Sequence, residues 1–301
     1  MERGIAVSPE KPPIAPQQGE PGTVAVTVDQ KPARGTYKAD ISGKAPRLRI
    51  ADLGVTYIGR DGRQTEAVKE ISLDILDKPG IGEIVVFLGP SGCGKSTILK
   101  AVAGILPPTR GEILVDGQPV LGVGRDRGMV FQAYTSFGWL TVRENVEYGL
   151  KLRGVAKHER DEQSTKYLKA VGLLEFGDRY PKDLSGGMKQ RVAIARTLIN
   201  KPKLVLMDEP FGALDPQTRW GMQSLMLDVS RDEDNTTLFV THDVSEAVYV
   251  ADTIYVLSPR PTRILHRIDV PFFTNRDMSL KSSADFRNVE KKLLDLLYTP
   301  S

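Results

Sequence analysis

Residues 83–106, EIVVFLGPSGCGKSTILKAVAGIL, lead a short apolar run into a helix-spaced pattern through a turn of glycines, small hydroxyl residues and one lysine. A short continuous apolar run reads as a strand buried on both faces, the habit of a parallel sheet. The pattern KSTILKAVAGIL repeats apolar residues at helical spacing and stops at Pro107 and Pro108. Between the two, Gly89, Gly94, Lys95 and Ser96 fit the spacing G-x-x-x-x-G-K-[ST]. Glycines let the backbone curl until successive N–H groups face one anion, and the following helix points the positive end of its dipole at the same place. The loop of Gly89, Pro90, Ser91, Gly92, Cys93, Gly94, Lys95, Ser96 and Thr97 is therefore predicted to cradle nucleotide phosphates. Lys95 can reach the β- and γ-phosphates, and Ser96 can offer its hydroxyl to Mg²⁺. Cys93 is the single cysteine, with no partner for a disulfide or metal cluster, and reads as a small residue that fits the loop.

The rest of the chain repeats the alternation. LRIADLGVTYI and VKEISLDIL read as two antiparallel strands joined by the polar turn GRDGRQTEA. GEILVDG and RGMVFQ are further short strands. From residue 134 to 183 the character changes: VRENVEYGLKLRG and HERDEQSTKYLKAVGLL are helical with no strand between them. This stretch is predicted to be an inserted helical subdomain, and the run KHERDEQ a solvated helix face. Alternation then resumes through MKQRVAIARTLI, KLVLMD, PQTRWGMQSLMLDVS, TTLFVT, VSEAVYVA, TIYVLS and RILHRIDV. Alternating strands and helices predict an α/β fold of the P-loop NTPase kind, with a mostly parallel sheet, an antiparallel β layer and the helical insertion.

Composition narrows the class. With 301 residues, 40% hydrophobic and 26% charged, the chain reads as an ordinary globular protein. A net charge of +3 gives no bulk electrostatic case for nucleic acid. No run of about 18 apolar residues spans a membrane. Residues 1–46, rich in Pro, Gly and Gln, read as a disordered tail with a weak strand at TVAVTV. Residues 47–270 form the main domain, and 271–301 a C-terminal helical tail ending in the amphipathic DFRNVEKKLLDLLY.

The second half of a nucleotide pocket is also visible. LVLMDEP is an apolar strand ending in Asp208 and Glu209, where a parallel sheet binds ligands. Asp208 is placed to hold Mg²⁺, and Glu209 to polarise a water for attack on the γ-phosphate. Upstream, Ser185, Gly186 and Gly187 in LSGGMKQR open a helix and offer a second anion site, although Ser185 also suits a plain N-cap. In this order, the phosphate loop, LSGGMKQR and LVLMDEP resemble the ATP-binding cassette ATPases over residues 48–270.

That resemblance implies roles residue by residue. Gln132 in MVFQ matches the loop glutamine that contacts Mg²⁺ and senses a membrane partner. Leu184 to Gln190 matches the signature, with Ser185, Gly186, Gly187 and Gln190 expected at a nucleotide. Glu209 matches the catalytic glutamate and Asp208 the metal aspartate. Ala213 to Asp215 matches the D-loop, His242 in FVTHD the switch histidine, and Tyr57 the aromatic that stacks on adenine. Each has a plainer alternative: Asp215 as an N-cap before Pro216, His242 as a polar cap, Gln132 as a loop residue, Tyr57 packed under the sheet. The resemblance also implies a homodimer, or paired subunits, in which one chain's signature closes over ATP held by the other's phosphate loop.

VFQAYTSFGWLTVRENV, MDEPFGALD and THDVSEAVYVAD look like the nitrate, sulfonate and taurine importer ATPases, with Gly138 where those commonly have proline. The implied protein sits peripherally on the cytoplasmic face of the inner membrane. It drives an integral-membrane permease, which is served in turn by a solute-binding protein. The alternative is the ATPase of a lipid-trafficking or export system with a separate permease. The insertion, residues 134–183, is expected to be the docking face for the permease: the aromatics of AYTSFGWLT, Phe137 and Trp139 among them, suit a groove that grips a permease helix, the alternative being that Trp139 packs within the insertion's own small core.

Overall fold

The computed structural model describes residues 28–30, 46–77, 82–212, 214–232, 235–271 and 276–298. Apart from Pro46 and β1 (Val28–Gln30), the tail read at residues 1–46 lies outside the described residues, as does most of TVAVTV. β2 (Leu48–Ile58) and β3 (Gln64–Ile75) pair antiparallel. β3 begins at Gln64, inside what the sequence suggests is turn. Its first residues, Gln64 to Glu66, are polar and exposed, so no hydrophobic alternation marks them.

β4 (Glu83–Leu88) is buried along its whole length. Side chains alternate across a strand, and here the alternation divides two cores. Ile84, Val86 and Leu88 enter one apolar cluster, while Val85 and Phe87 enter the other. That division is why the run reads as continuously apolar. α1 (Lys95–Val102) follows and packs Ile98, Leu99 and Val102 into the second cluster. β5 (Arg110–Val115) and the short β6 (Gln118–Pro119) complete an antiparallel sheet of order β3-β2-β5-β6. β7 (Arg127–Val130) returns to the main sheet.

α2 (Val142–Leu152) and α3 (Lys157–Ala170) make the helical insertion. Thr141 starts α2 with a reciprocal cap: its Oγ1 accepts from Glu144 N at 3.2 Å, and Glu144 Oε2 accepts from Thr141 N at 2.8 Å. α4 (Gly186–Leu198), β8 (Leu204–Asp208), α5 (Pro216–Asp232), β9 (Thr236–Thr241), α6 (Val244–Val250), β10 (Thr253–Leu257) and β11 (Ile264–Asp269) follow in turn. The main sheet has the order β1-β11-β10-β4-β9-β8-β7. Its strands β10, β4, β9, β8 and β7 are parallel, and β11 and β1 close one edge antiparallel.

α7 (Ala284–Tyr298) is packed rather than pendant. Phe286, Val289 and Leu293 are buried in the same cluster as β4 and α6. Each such side chain contributes about 1.5–3 kcal/mol of burial, enough to hold the helix on the domain. Among the described residues no helix is long and apolar enough to cross a membrane.

Candidate nucleotide-binding site

β4, β9 and β8 lie side by side and parallel, so their carboxyl ends open on one edge of the sheet. Leu88 pairs with Thr241, and Asp208 with Val240. The loop after β4, the acids at the end of β8 and His242 after β9 are therefore brought together by register alone, where open α/β sheets bind ligands.

The glycine loop is held from beneath. Gly94 adopts φ 130°, and a Cβ there would lie 2.6 Å from Thr262 Oγ1 and 3.0 Å from the Ala67 carbonyl oxygen, so only glycine fits. The buried Thr262 hydroxyl donates to the Cys93 carbonyl, and Thr262 N donates to the Ala67 carbonyl at 3.0 Å. The segment before β11 thus ties the loop to the antiparallel sheet. Cys93 is buried, with its Sγ under Gly89. Lys95 is buried too, and its Nζ donates to the Gly89 and Pro90 carbonyls at 2.9 and 3.0 Å.

The two acids face this lysine and the start of α1. Ser96 Oγ donates to Asp208 Oδ1 at 2.7 Å. Burial pushes the Asp208 carboxyl above its usual range, against the opposing pull of the Ser96 hydrogen bond. Glu209 adopts φ 43°, uncommon for a residue with a Cβ, while its N–H still donates to the Val240 carbonyl at 3.0 Å. That bend presents its carboxylate to two partners: Lys95 Nζ lies 3.6 Å from Oε1, and His242 Nδ1 lies 3.1 Å from Oε2. Lys95, Glu209 and His242 form one polar group, and Ser96 and Asp208 a second that adjoins it along the chain.

Among the described residues no group of three or more His, Cys, Asp or Glu could hold a metal alone. One hydroxyl and one buried carboxylate form a hard-oxygen donor pair that fits Mg²⁺ shared with phosphate oxygens. A cation there would also keep the buried Asp208 ionised.

Tyr57 is 41% exposed, and its hydroxyl lies 3.1 Å from Thr97 Oγ1, so it stands beside the phosphate loop rather than under the sheet. Gln132 is exposed in the loop after β7. Asp215 Oδ1 accepts from Thr218 N at 3.0 Å, which caps α5, and hydrogen bonding to the Thr218 side chain and then to its backbone holds the Asp215 carboxyl below its usual range. Ala213 lies outside the described residues.

The signature forms a second group. Ser185 caps α4, its Oγ accepting from Met188 N at 3.3 Å. A Cβ at Gly186 would collide with the Tyr134 hydroxyl, and one at Gly187 would lie 2.9 Å from Thr218 Cγ2. Gly186 and Gly187 are therefore wedged between the loop after Gln132 and the start of α5. Gln190 does not join Ser185 at the surface. It is buried, and its Nε2 donates to the Phe131 carbonyl at 3.5 Å. Among the described residues no hydrogen bond or ion pair links Ser185 to the cluster around Lys95.

Sequence reasoning missed the arginine that joins α4 to the loop after Gln132. Arg196, on α4, donates to the Thr135 carbonyl at 2.7 Å and to its Oγ1 at 2.6 Å, and sits 5.0 Å over the Phe137 ring. Burial draws its pKa down. The available signal was a charge set among the apolar residues of ARTLI. Phe137 in turn packs on Tyr148 at 4.7 Å and Trp139 at 5.4 Å, while Trp139 remains 75% exposed.

The profile of the ABC transporter family matches residues 69–212. The nitrate import ATP-binding protein NrtD of Synechocystis sp. is 46% identical over 256 residues, covering 83% of this chain and 94% of that protein. The taurine import ATP-binding protein TauB of Rhizobium johnstonii is 40% identical over 257 residues, covering 84% of this chain and 97% of that protein. Among solved structures, the dimeric post-hydrolysis state of the ATP-binding cassette MJ0796 bound to ADP and Pi superposes with a TM-score of 0.65 at 30% identity, covering 75% of this chain and 100% of that one. By sequence over most of its length, and by a fold that gathers Lys95, Ser96, Asp208, Glu209 and His242 on one sheet edge, this chain belongs to the ABC transporter family as one of its ATPases.

Proposed function

We propose that this chain is the Mg²⁺-dependent ATP-hydrolysing subunit of an importer for a small anion or organic solute such as nitrate, sulfonate or taurine. The observation that carries the reading is Glu209, set between Lys95 and His242 at the end of β8. Loop N–H groups and Lys95 bind the β- and γ-phosphates. Ser96, Asp208 and Gln132 hold Mg²⁺, which when bound offsets phosphate charge. Glu209 takes the proton of the attacking water, and His242 orients that carboxylate and reaches the γ-phosphate. Tyr57 stacks on the adenine. Ser185, Gly186 and Gly187 meet the γ-phosphate of ATP on a second chain, with Asp215 beside that interface. The assembly docks a membrane permease on its cytoplasmic side, and a solute-binding protein delivers the solute to that permease.

Steady-state ATPase assays test the enzymatic part. Hydrolysis is expected with Mg²⁺ and lost with excess EDTA. Deleting the gene and measuring uptake of labelled nitrate and labelled taurine tests the transport part. Loss of neither uptake overturns the assigned solute class.

A further inference from the structure

The C-terminal segment reaches the 241–243 turn through a chain of buried and half-buried polar side chains. Lys281 lies in the helical turn Met278–Ser282, and its Nζ sits 4.6 Å over the Tyr249 ring. Lys281 Nζ donates to Gln223 Oε1 on α5 at 3.3 Å. Gln223 Nε2 donates to Glu246 Oε1 on α6 at 3.1 Å. Glu246 Oε2 accepts from the Thr241 hydroxyl at the end of β9. Thr241 Oγ1 accepts from Asp243 N at 3.0 Å, and Asp243 Oδ1 accepts from Glu246 N at 3.0 Å. His242 is the residue between these two anchors. Gln223, Glu246 and Thr241 are buried, so the bonds Glu246 makes with Gln223 and Thr241 lie away from water, where losing one partner is costly, while those of Lys281 and Asp243 are partly buried.

The segment that supplies Lys281 is itself firmly docked. Arg276 donates to the Val250 and Ala251 carbonyls and to Asp252 Oδ1. Asp252 Oδ2 accepts from Ile84 N at 2.8 Å, on the strand that leads to the phosphate loop. Tyr249 donates its hydroxyl to the Arg276 carbonyl at 2.8 Å. Besides Glu246, the charges acting on Lys281 are Asp243, Arg219 and Glu290, with Arg219 and Asp243 3.6 Å apart. Burial raises the pKa of Glu246 and lowers that of Lys281, as expected of two opposite charges drawn into the domain and joined through Gln223.

We propose that Lys281 and Gln223 are positioning residues that set the 241–243 turn, and so the aim of His242 at Glu209, through Glu246 and Thr241. This rests on the proposed part of His242 and Glu209 in hydrolysis. The C-terminal segment thereby acts on hydrolysis through His242.

The test uses the full chain and compares Lys281→Met with wild type for kcat, KM for ATP, ATP affinity in EDTA and melting temperature. Lys281→Met is expected to lower kcat about fivefold while changing KM and ATP affinity by less than about twofold, because the phosphate loop is untouched. Lys281→Arg, which keeps a donor at that place, is expected to recover most of kcat. Gln223→Met breaks the same chain one link nearer, and adding Lys281→Met to it should cause no further loss in kcat. An unchanged kcat in Lys281→Met overturns the proposal. So do equal losses of kcat and ATP affinity, which would mark a general loosening. If wild type shows no ATPase at all, the function proposed above falls instead, and the two failures are distinguishable.

Discussion

Glu209 shows how much chemistry one backbone angle can decide. At φ 43° the chain leaves β8 sharply, yet its N–H keeps its bond to Val240, so the carboxylate is fixed between Lys95 and His242. Glu209→Gln preserves shape but removes the proton acceptor. ATP binding should persist, turnover should fall about a hundredfold or more, and an ATP-bound dimer should accumulate. Nucleotide binding together with phosphate release checks this, and near-normal release would contradict the role. His242→Ala should lower hydrolysis about tenfold or more through loss of the group facing Glu209. The pocket half of the site was legible because its residues sit at fixed offsets from strands and helices. Thr262 and Arg196 were not, because each is held by backbone carbonyls far away in sequence: Cys93 for one, Thr135 for the other. Gln190 belongs to the signature by position, but its place on α4 turns it inward to Phe131.

Elements were legible where one face had to be buried and obscure where none did. β4 announced itself because both its faces lie in apolar cores. The start of β3 was read as turn because its residues are exposed. α7 was read as a tail because an amphipathic helix does not say what it packs on. The helical insertion holds its own shape through the cap at Thr141, and Thr141→Ala should cost about 1 kcal/mol in urea unfolding. Its aromatics divide into two roles. Phe137 is anchored by Tyr148 and Arg196, and its N–H donates to the buried Asn145 Oδ1 at 2.7 Å. Phe137→Ala should therefore lose about 1–3 kcal/mol of stability. Trp139 points outward beside it. Trp139→Ala should leave the ATPase of the isolated subunit intact and abolish co-purification with the permease. Unchanged assembly would place the docking face elsewhere.

The whole molecule carries two helix starts of the kind that suit an anion, and among the described residues no hydrogen bond or ion pair joins them. The phosphate loop opens α1, and Ser185 opens α4, wedged between Tyr134 and the start of α5. Two chains arranged head to tail would bring one site of each kind to a single triphosphate, with ATP as the joint. Such an arrangement would give the second helix start a use. The most direct measurement mixes a Lys95→Ala chain with a Ser185→Arg chain and follows ATPase activity against their ratio. Neither homodimer holds an intact composite site, whereas the mixed dimer holds one. The account predicts activity that rises on mixing, peaks near equal amounts and approaches half the wild-type rate per mixed dimer. A mixture no more active than either parent would contradict it.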